Sequence, residues 1–268
     1  MAASATPVVF VHGLWLHSSS WQPWMDVFRE AGYAPVAPEW PGTPAGSVAE
    51  ARATPATAAG YGITMIADHY ARIIGSLDAK PILIGHSFGG LLVQNLLGRG
   101  MAAAAVAIDP APIKGVLALP VSSLRVASVA LRNPANRRRA ISLTPEQFRY
   151  GFGNALSNKE SADLYEKWTI PSPGRPLFEA ALATFSPNAP TKVNTANPNR
   201  GPLLLIAGGR DHTVPAAITT ATRKLYHKSP AITDFREFPD RGHSLTIDHG
   251  WREVADTALA FVQRFVKS

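Results

Sequence analysis

Hydrophobic positions along the chain fall into short, mostly continuous runs, separated by longer stretches in which they recur every three or four residues. The runs occupy residues 8–11, 34–37, 81–84, 106–108, 203–207 and 235–238. A short continuous apolar run suits a parallel strand that is covered on both faces. Between the runs, residues 24–31, 63–77, 91–99, 216–227 and 251–266 have helical length and spacing. Strand and helix therefore alternate, which predicts an α/β fold with a doubly wound, mostly parallel sheet.

One stretch breaks the alternation. From residue 113 to residue 200 there are helical segments and several prolines but no strand pattern. Thr144 followed by Pro145, Glu146 and Gln147 is a helix start: a capping hydroxyl, proline at the first position and an acid in the first turn. A region of this size between two core strands reads as an insertion. The expected organisation is a core in two parts, 1–112 and 201–268, with a helical cap at 113–200. The cap's apolar residues Leu117, Leu119, Leu124, Val129, Phe148, Phe152, Phe178 and Phe185 either pack it on the sheet or line a substrate pocket.

Composition narrows the chemistry. The 268 residues are 46% apolar and 17% charged, an ordinary globular mix. There is no cysteine, which excludes disulfides, thiolate catalysis and cysteine-ligated metals. The first residues lack the basic and apolar regions of a signal peptide, and no apolar run reaches the roughly 18 residues of a membrane span. A cytoplasmic protein without a membrane span is expected. The net charge is +7, and the densest basic run spans residues 132–139, with Arg125 and Arg149 nearby. This run reads as a solvated helical face, with an anionic partner as the alternative. Aromatic residues do not interleave it, so nucleic-acid binding is not expected.

The strongest local motif is Gly85-His86-Ser87-Phe88-Gly89-Gly90. It matches G-x-S-x-G, with a strand pattern before it and a helix pattern after it. The chain must turn sharply there and expose the Ser87 hydroxyl, and side chains at Gly85 and Gly89 would strike neighbouring backbone. Serine becomes a useful nucleophile only when a base removes its proton. That base needs a histidine brought near by folding and a carboxylate to orient it. His243 follows the last strand, in a loop opened by Pro239 and Gly242. His69, His86, His212, His227 and His249 read as structural or surface residues. For the acid, Asp211 follows the strand at 203–207, and Asp109, after the strand at 106–108, is its rival. A plain turn-forming role for Asp211 stays open.

Four segments, in order, carry a resemblance across nearly the whole chain: the early strand ending in His12-Gly13, the elbow at Ser87, Gly208-Gly209-Arg210-Asp211, and Gly242-His243-Ser244. The chain resembles the α/β-hydrolase superfamily, and within it small bacterial capped esterases and lipases. His12-Gly13 through His17, with Trp21, is more weakly similar to plant-type esterases and hydroxynitrile lyases. The resemblance implies a triad of Ser87, Asp211 and His243. It also implies an oxyanion hole from the backbone amides of Leu14 and Phe88, although His12-Gly13 by itself reads equally as a tight strand end. Trp15 and His17 are expected near the mouth. The implied activity is hydrolysis of small to medium apolar esters or lactones, without cofactor or metal. The alternatives are a lyase or cofactor-free oxidoreductase with the same triad, or a ligand-binding protein without catalysis. No H-E-x-x-H, P-loop or G-x-G-x-x-G pattern is present. The partner is a small-molecule ester, and the oligomeric state, monomer or homodimer, is open.

Overall fold

A computed structural model describes residues 5–118 and 120–268. Its core is a six-stranded sheet of β1 (Pro7–Val11), β2 (Ala34–Val36), β3 (Ile82–His86), β4 (Ala104–Ile108), β7 (Leu203–Gly208) and β8 (Thr233–Phe238). The order is β2-β1-β3-β4-β7-β8, and every neighbouring pair is parallel. All six strand candidates of the sequence became strands. Every residue of β3, β4 and β7 is buried, which is why these strands read as unbroken apolar runs rather than as alternation. Pro35 is tolerated in β2 because that strand lies at the sheet edge, where a missing N–H leaves no interior gap.

Two hydrophobic cores lie on the two sheet faces. On one, Val8 and Phe10 meet Trp24 and Phe28 of α1 (Gln22–Glu30) and Val254, Ala258 and Phe261 of α10 (Trp251–Gln263). On the other, Val9, Val11 and Leu83 meet α3 (Ile63–Gly75), α4 (Phe88–Gly98) and α9 (Ala216–Leu225). Helix α4 is apolar nearly all round, as suits a helix buried at the centre of the fold. Helix α2 (Val48–Ala53) was not foreseen, since its six residues are too few for a period to show.

Between β4 and β7 the chain forms α5 (Val121–Leu131), α6 (Pro145–Gly151), α7 (Asn158–Trp168) and α8 (Arg175–Ala181). The capping residues at Thr144 behave as their types require: Thr144 accepts from the Gln147 amide at 3.2 Å, and the Gln147 side chain accepts from the Thr144 amide at 2.9 Å. The stretch also holds two short strands, β5 (Ala140–Ile141) and β6 (Ser172–Pro173), which pair antiparallel. No strand was expected there, because two-residue strands carry no alternation. Arg52 of α2 ties this region to the rest of the fold, donating to the carbonyls of Thr169, Tyr165 and Glu166 at 2.9–3.0 Å. Leu119 and residues 1–4 lie outside the described residues. Among the described residues, no helix is long and apolar enough to cross a membrane.

Candidate active site

The site begins where β3 gives way to α4. Ser87 sits between them with φ 56° and ψ −121°, a conformation that costs free energy and persists only where its surroundings impose it. Those surroundings are backbone. A Cβ on Gly89 would overlap the Val11 carbonyl, and one on Gly13 would stand 2.7 Å from the Ser87 Cβ and 3.0 Å from the His86 carbonyl. Only glycine lets the loop after β1 and the start of α4 close on the serine.

His243 lies in the loop after β8, wholly buried. Its Nδ1 donates to Oδ2 of Asp211 at 2.6 Å, while Oδ2 of Asp109 stands 3.9 Å from the same nitrogen. Asp211, not Asp109, is therefore the carboxylate within hydrogen-bond distance of His243. Asp211 also keeps a turn role, since its Oδ1 accepts from the amides of Thr213 at 2.6 Å and Val214 at 2.9 Å. One carboxylate oxygen of Asp211 thus faces the imidazole and the other holds its own turn. The second imidazole nitrogen of His243, Nε2, is buried without a hydrogen-bond partner among the described residues.

Asp109 has a different state. Burial first, and then the neighbouring Asp211, push its carboxyl well above the usual carboxylate range. Its Oδ1 accepts from the Gly208 amide at 2.7 Å. His86 is held neutral by burial and by the nearby His243, and donates from Nε2 to the His243 carbonyl at 2.9 Å. Its ring centroid lies 4.5 Å from that of His243, and the Phe152 ring lies 4.7 Å from His243 and 6.4 Å from His86. His86, Asp109 and His243 each offer a metal-ligating atom within 4.8 Å of the others. Nδ1 of His243 and Nε2 of His86 are engaged with protein acceptors, whereas Nε2 of His243, Nδ1 of His86 and Oδ2 of Asp109 are buried without a hydrogen-bond partner among the described residues.

The amides of Leu14 and Phe88 donate to no acceptor among the described residues. Both residues line a cavity of about 130 Å³ with Ser87, Trp15, Ala111 and Val214. Leu124 of α5 and Leu177, Ala180 and Ala181 of α8 cover it. Its lining is overwhelmingly apolar, as in most small-molecule sites.

One functional residue was missed. Glu39, in the loop after β2, is buried between His12 and His17 at 3.1 Å from each, and accepts from the Ser18 amide at 2.8 Å. Burial alone would raise its carboxyl; the two imidazoles and the hydrogen bonds outweigh this and lower it. Glu39 thereby pins both ends of the loop that carries Leu14. A lone acid in Pro38-Glu39-Trp40-Pro41 was the only signal in the sequence. His17 accordingly faces Glu39, while Trp15 alone of the two lines the cavity. The other histidines have structural partners: His69 donates to the Glu39 carbonyl, His212 to that of Tyr150, His227 to that of Lys224, and His249 pairs with Glu160.

Comparison with known proteins follows the same outline. The family model described as the alpha/beta hydrolase family matches residues 8–257. Among solved structures, a monoacylglycerol lipase from Paleococcus ferrophilus is similar at 21% identity with a TM-score of 0.66, covering 98% of this chain and 97% of its own. A thermophilic esterase from Thermogutta terrifontis matches at 16% identity and TM-score 0.69, covering 98% and 91%. A polyneuridine aldehyde esterase matches at 18% and 0.64, covering 96% and 99%. At these identities the likeness is one of fold. No curated protein matches the sequence.

Proposed function

The chain belongs to the alpha/beta hydrolase family, and from that premise we propose that it hydrolyses carboxylic esters through an acyl-enzyme on Ser87. One observation carries this reading. A buried histidine is locked by a carboxylate on Nδ1 and left without a partner on Nε2, and its ring lies 4.5 Å from that of His86, the sequence neighbour of a strained serine that lines an apolar cavity.

The chemistry follows from that arrangement. Nε2 of His243 takes the Ser87 proton as Oγ bonds to the ester carbonyl carbon, and the carbonyl π electrons move to oxygen. The amides of Leu14 and Phe88 hold that oxyanion, and the α4 N-terminus adds its dipole. The C–O bond to the alcohol then breaks, and the alcohol leaves with the proton from His243. Water repeats the steps and releases the acid. Asp211 holds the imidazole in the required tautomer and balances its positive charge. Each step uses only protein groups and water.

We assign residues 113–200 the role of a cap, whose helices α5 and α8 roof the cavity and set its size. A cavity near 130 Å³ takes a group about as large as benzene, which favours short acyl chains. Two features favour hydrolysis over cyanohydrin cleavage. No lysine is among the described lining residues, and the Thr213 hydroxyl donates to the Gly151 carbonyl at 2.8 Å. The test is turnover of p-nitrophenyl esters by wild type and Ser87→Ala. Turnover with an initial burst in wild type only is expected. Equal turnover by the variant would overturn the assignment.

A further inference from the structure

All the excess positive charge of the chain sits in one segment. Residues 113–200 hold twelve lysines and arginines against five acids, a surplus equal to the net +7 of the whole chain. The remaining residues are balanced, fourteen against fourteen.

Apolar exposure is concentrated in the same segment. Among the described residues, four large apolar side chains are more than half exposed: Leu117 at 74%, Val121 at 82%, Leu182 at 55% and Phe185 at 84%. All four lie in segments that flank, in sequence, the residues covering the Ser87 cavity. Leu117 precedes Ala118, and Leu182 follows Ala181, both cavity residues. Val121 opens α5 one turn before Leu124, and Phe185 ends the turn that follows α8. Elsewhere, large apolar residues are exposed singly and less. Several strongly exposed large apolar side chains within one segment point to a docking surface rather than ordinary solvent exposure.

At the other end of the same helix pair the surface is basic. The start of α8 lies beside the turn Pro134–Arg138 that follows α5, and an open cleft of about 920 Å³ there is lined by Arg137, Arg138, Arg139, Arg175 and Phe178. Arg175 is paired with Glu179 at 2.7 Å, whereas Arg137, Arg138 and Arg139 have no ion-pair partner among the described residues.

We propose that the α5–α8 face docks the protein on an anionic lipid surface. Leu117, Val121, Leu182 and Phe185 enter its apolar layer, and Arg137, Arg138 and Arg139 meet its phosphates. Charge alone would equally suit a nucleic acid. Four exposed apolar side chains on and next to the ends of the same helix pair instead match a surface that is anionic outside and apolar beneath. Docked this way, the cavity mouth faces molecules dissolved in the lipid. The proposal stands apart from the esterase reading, because binding is measured without turnover.

The experiment is cosedimentation with vesicles of phosphatidylcholine, alone or mixed with phosphatidylglycerol, at low and high salt. Wild type should partition into the mixed vesicles on the order of 100-fold more strongly than into neutral ones, and salt should weaken this. The triple variant Arg137→Gln/Arg138→Gln/Arg139→Gln should lose most of that preference, and the matching lysine triple should keep it. Val121→Ser/Phe185→Ser should lose the part of binding that survives high salt. Unfolding temperatures equal to wild type would show that the variants fold. Equal partitioning into neutral and anionic vesicles would overturn the proposal, as would variants that bind like wild type. So would binding to duplex DNA as strong as to mixed vesicles and unchanged in the serine variant.

Discussion

Nδ1 of His243 lies 2.6 Å from Oδ2 of Asp211, both residues fully sequestered, although 32 positions separate them in the chain. The pair depends on parallel neighbours, because β7 delivers Asp211 and β8 delivers His243 to the same end of the sheet. Asp211→Asn should leave the fold intact while removing the charge that sets the imidazole tautomer. A fall in kcat on the order of 10⁴-fold is expected, with little change in KM. Steady-state kinetics on a short-chain ester checks this, and a loss below tenfold would reassign the orienting role.

The raised carboxyl of Asp109 makes a prediction about pH. Its native carboxyl titrates well above the unfolded value near 4. Between those two values the native state holds a proton that the unfolded chain has released. Stability from this group is thus fully present below about pH 4 and is lost as pH rises through the native value. Asparagine keeps the shape and cannot ionise. The unfolding temperature of Asp109→Asn, measured against wild type from acidic to alkaline pH, should gain steadily on wild type as pH rises. Parallel curves would show that Asp109 is ionised in the native protein.

Glu39 should give the opposite slope. Its carboxyl is lowered, so its contribution is present above the unfolded pKa and lost as pH falls through the native one. Glu39→Gln should therefore be least stable relative to wild type near neutrality, by about 1–3 kcal/mol, the worth of hydrogen bonds to a charged group. Wild type and variant should converge in acid. Because the loop bearing Leu14 loosens, kcat should fall about tenfold, short of the 10²–10³ that follows removal of an oxyanion donor.

Gly13 separates geometry from stability. An alanine Cβ would press on Ser87 at 2.7 Å, pushing the Leu14 amide away from the developing oxyanion. Gly13→Ala should cost kcat on the order of 10²-fold, while overpacking costs stability about 1–3 kcal/mol. Denaturant unfolding alongside kinetics would reveal the split, and unchanged kcat would remove the Leu14 amide from the reaction.

Acyl length should report the cavity. Turnover of p-nitrophenyl esters should peak at short chains and fall steeply once the acyl group exceeds a cavity near 130 Å³. A maximum at long chains would mean that α5 and α8 move apart when substrate binds.

The sequence by itself determined what is local. The apolar runs of β1, β3, β4 and β7 made a buried parallel sheet predictable, since strands covered on both faces admit few polar residues. The elbow at Ser87 was legible because its glycines are demanded by backbone approach within a few residues. Tertiary structure alone decided the rest. Asp109 and Asp211 both end strands and look alike in sequence, and only the placement of His243 distinguishes them, at 3.9 and 2.6 Å. Glu39 became important only once folding buried it between His12 and His17. The apolar residues of the insertion divided in a way no period foretold. Phe148 and Phe152 stack in the core, Leu124 lines the cavity, and Leu117 and Phe185 stand in solvent. Burial depends on what lies across the gap, and that is a property of the assembled chain rather than of any segment.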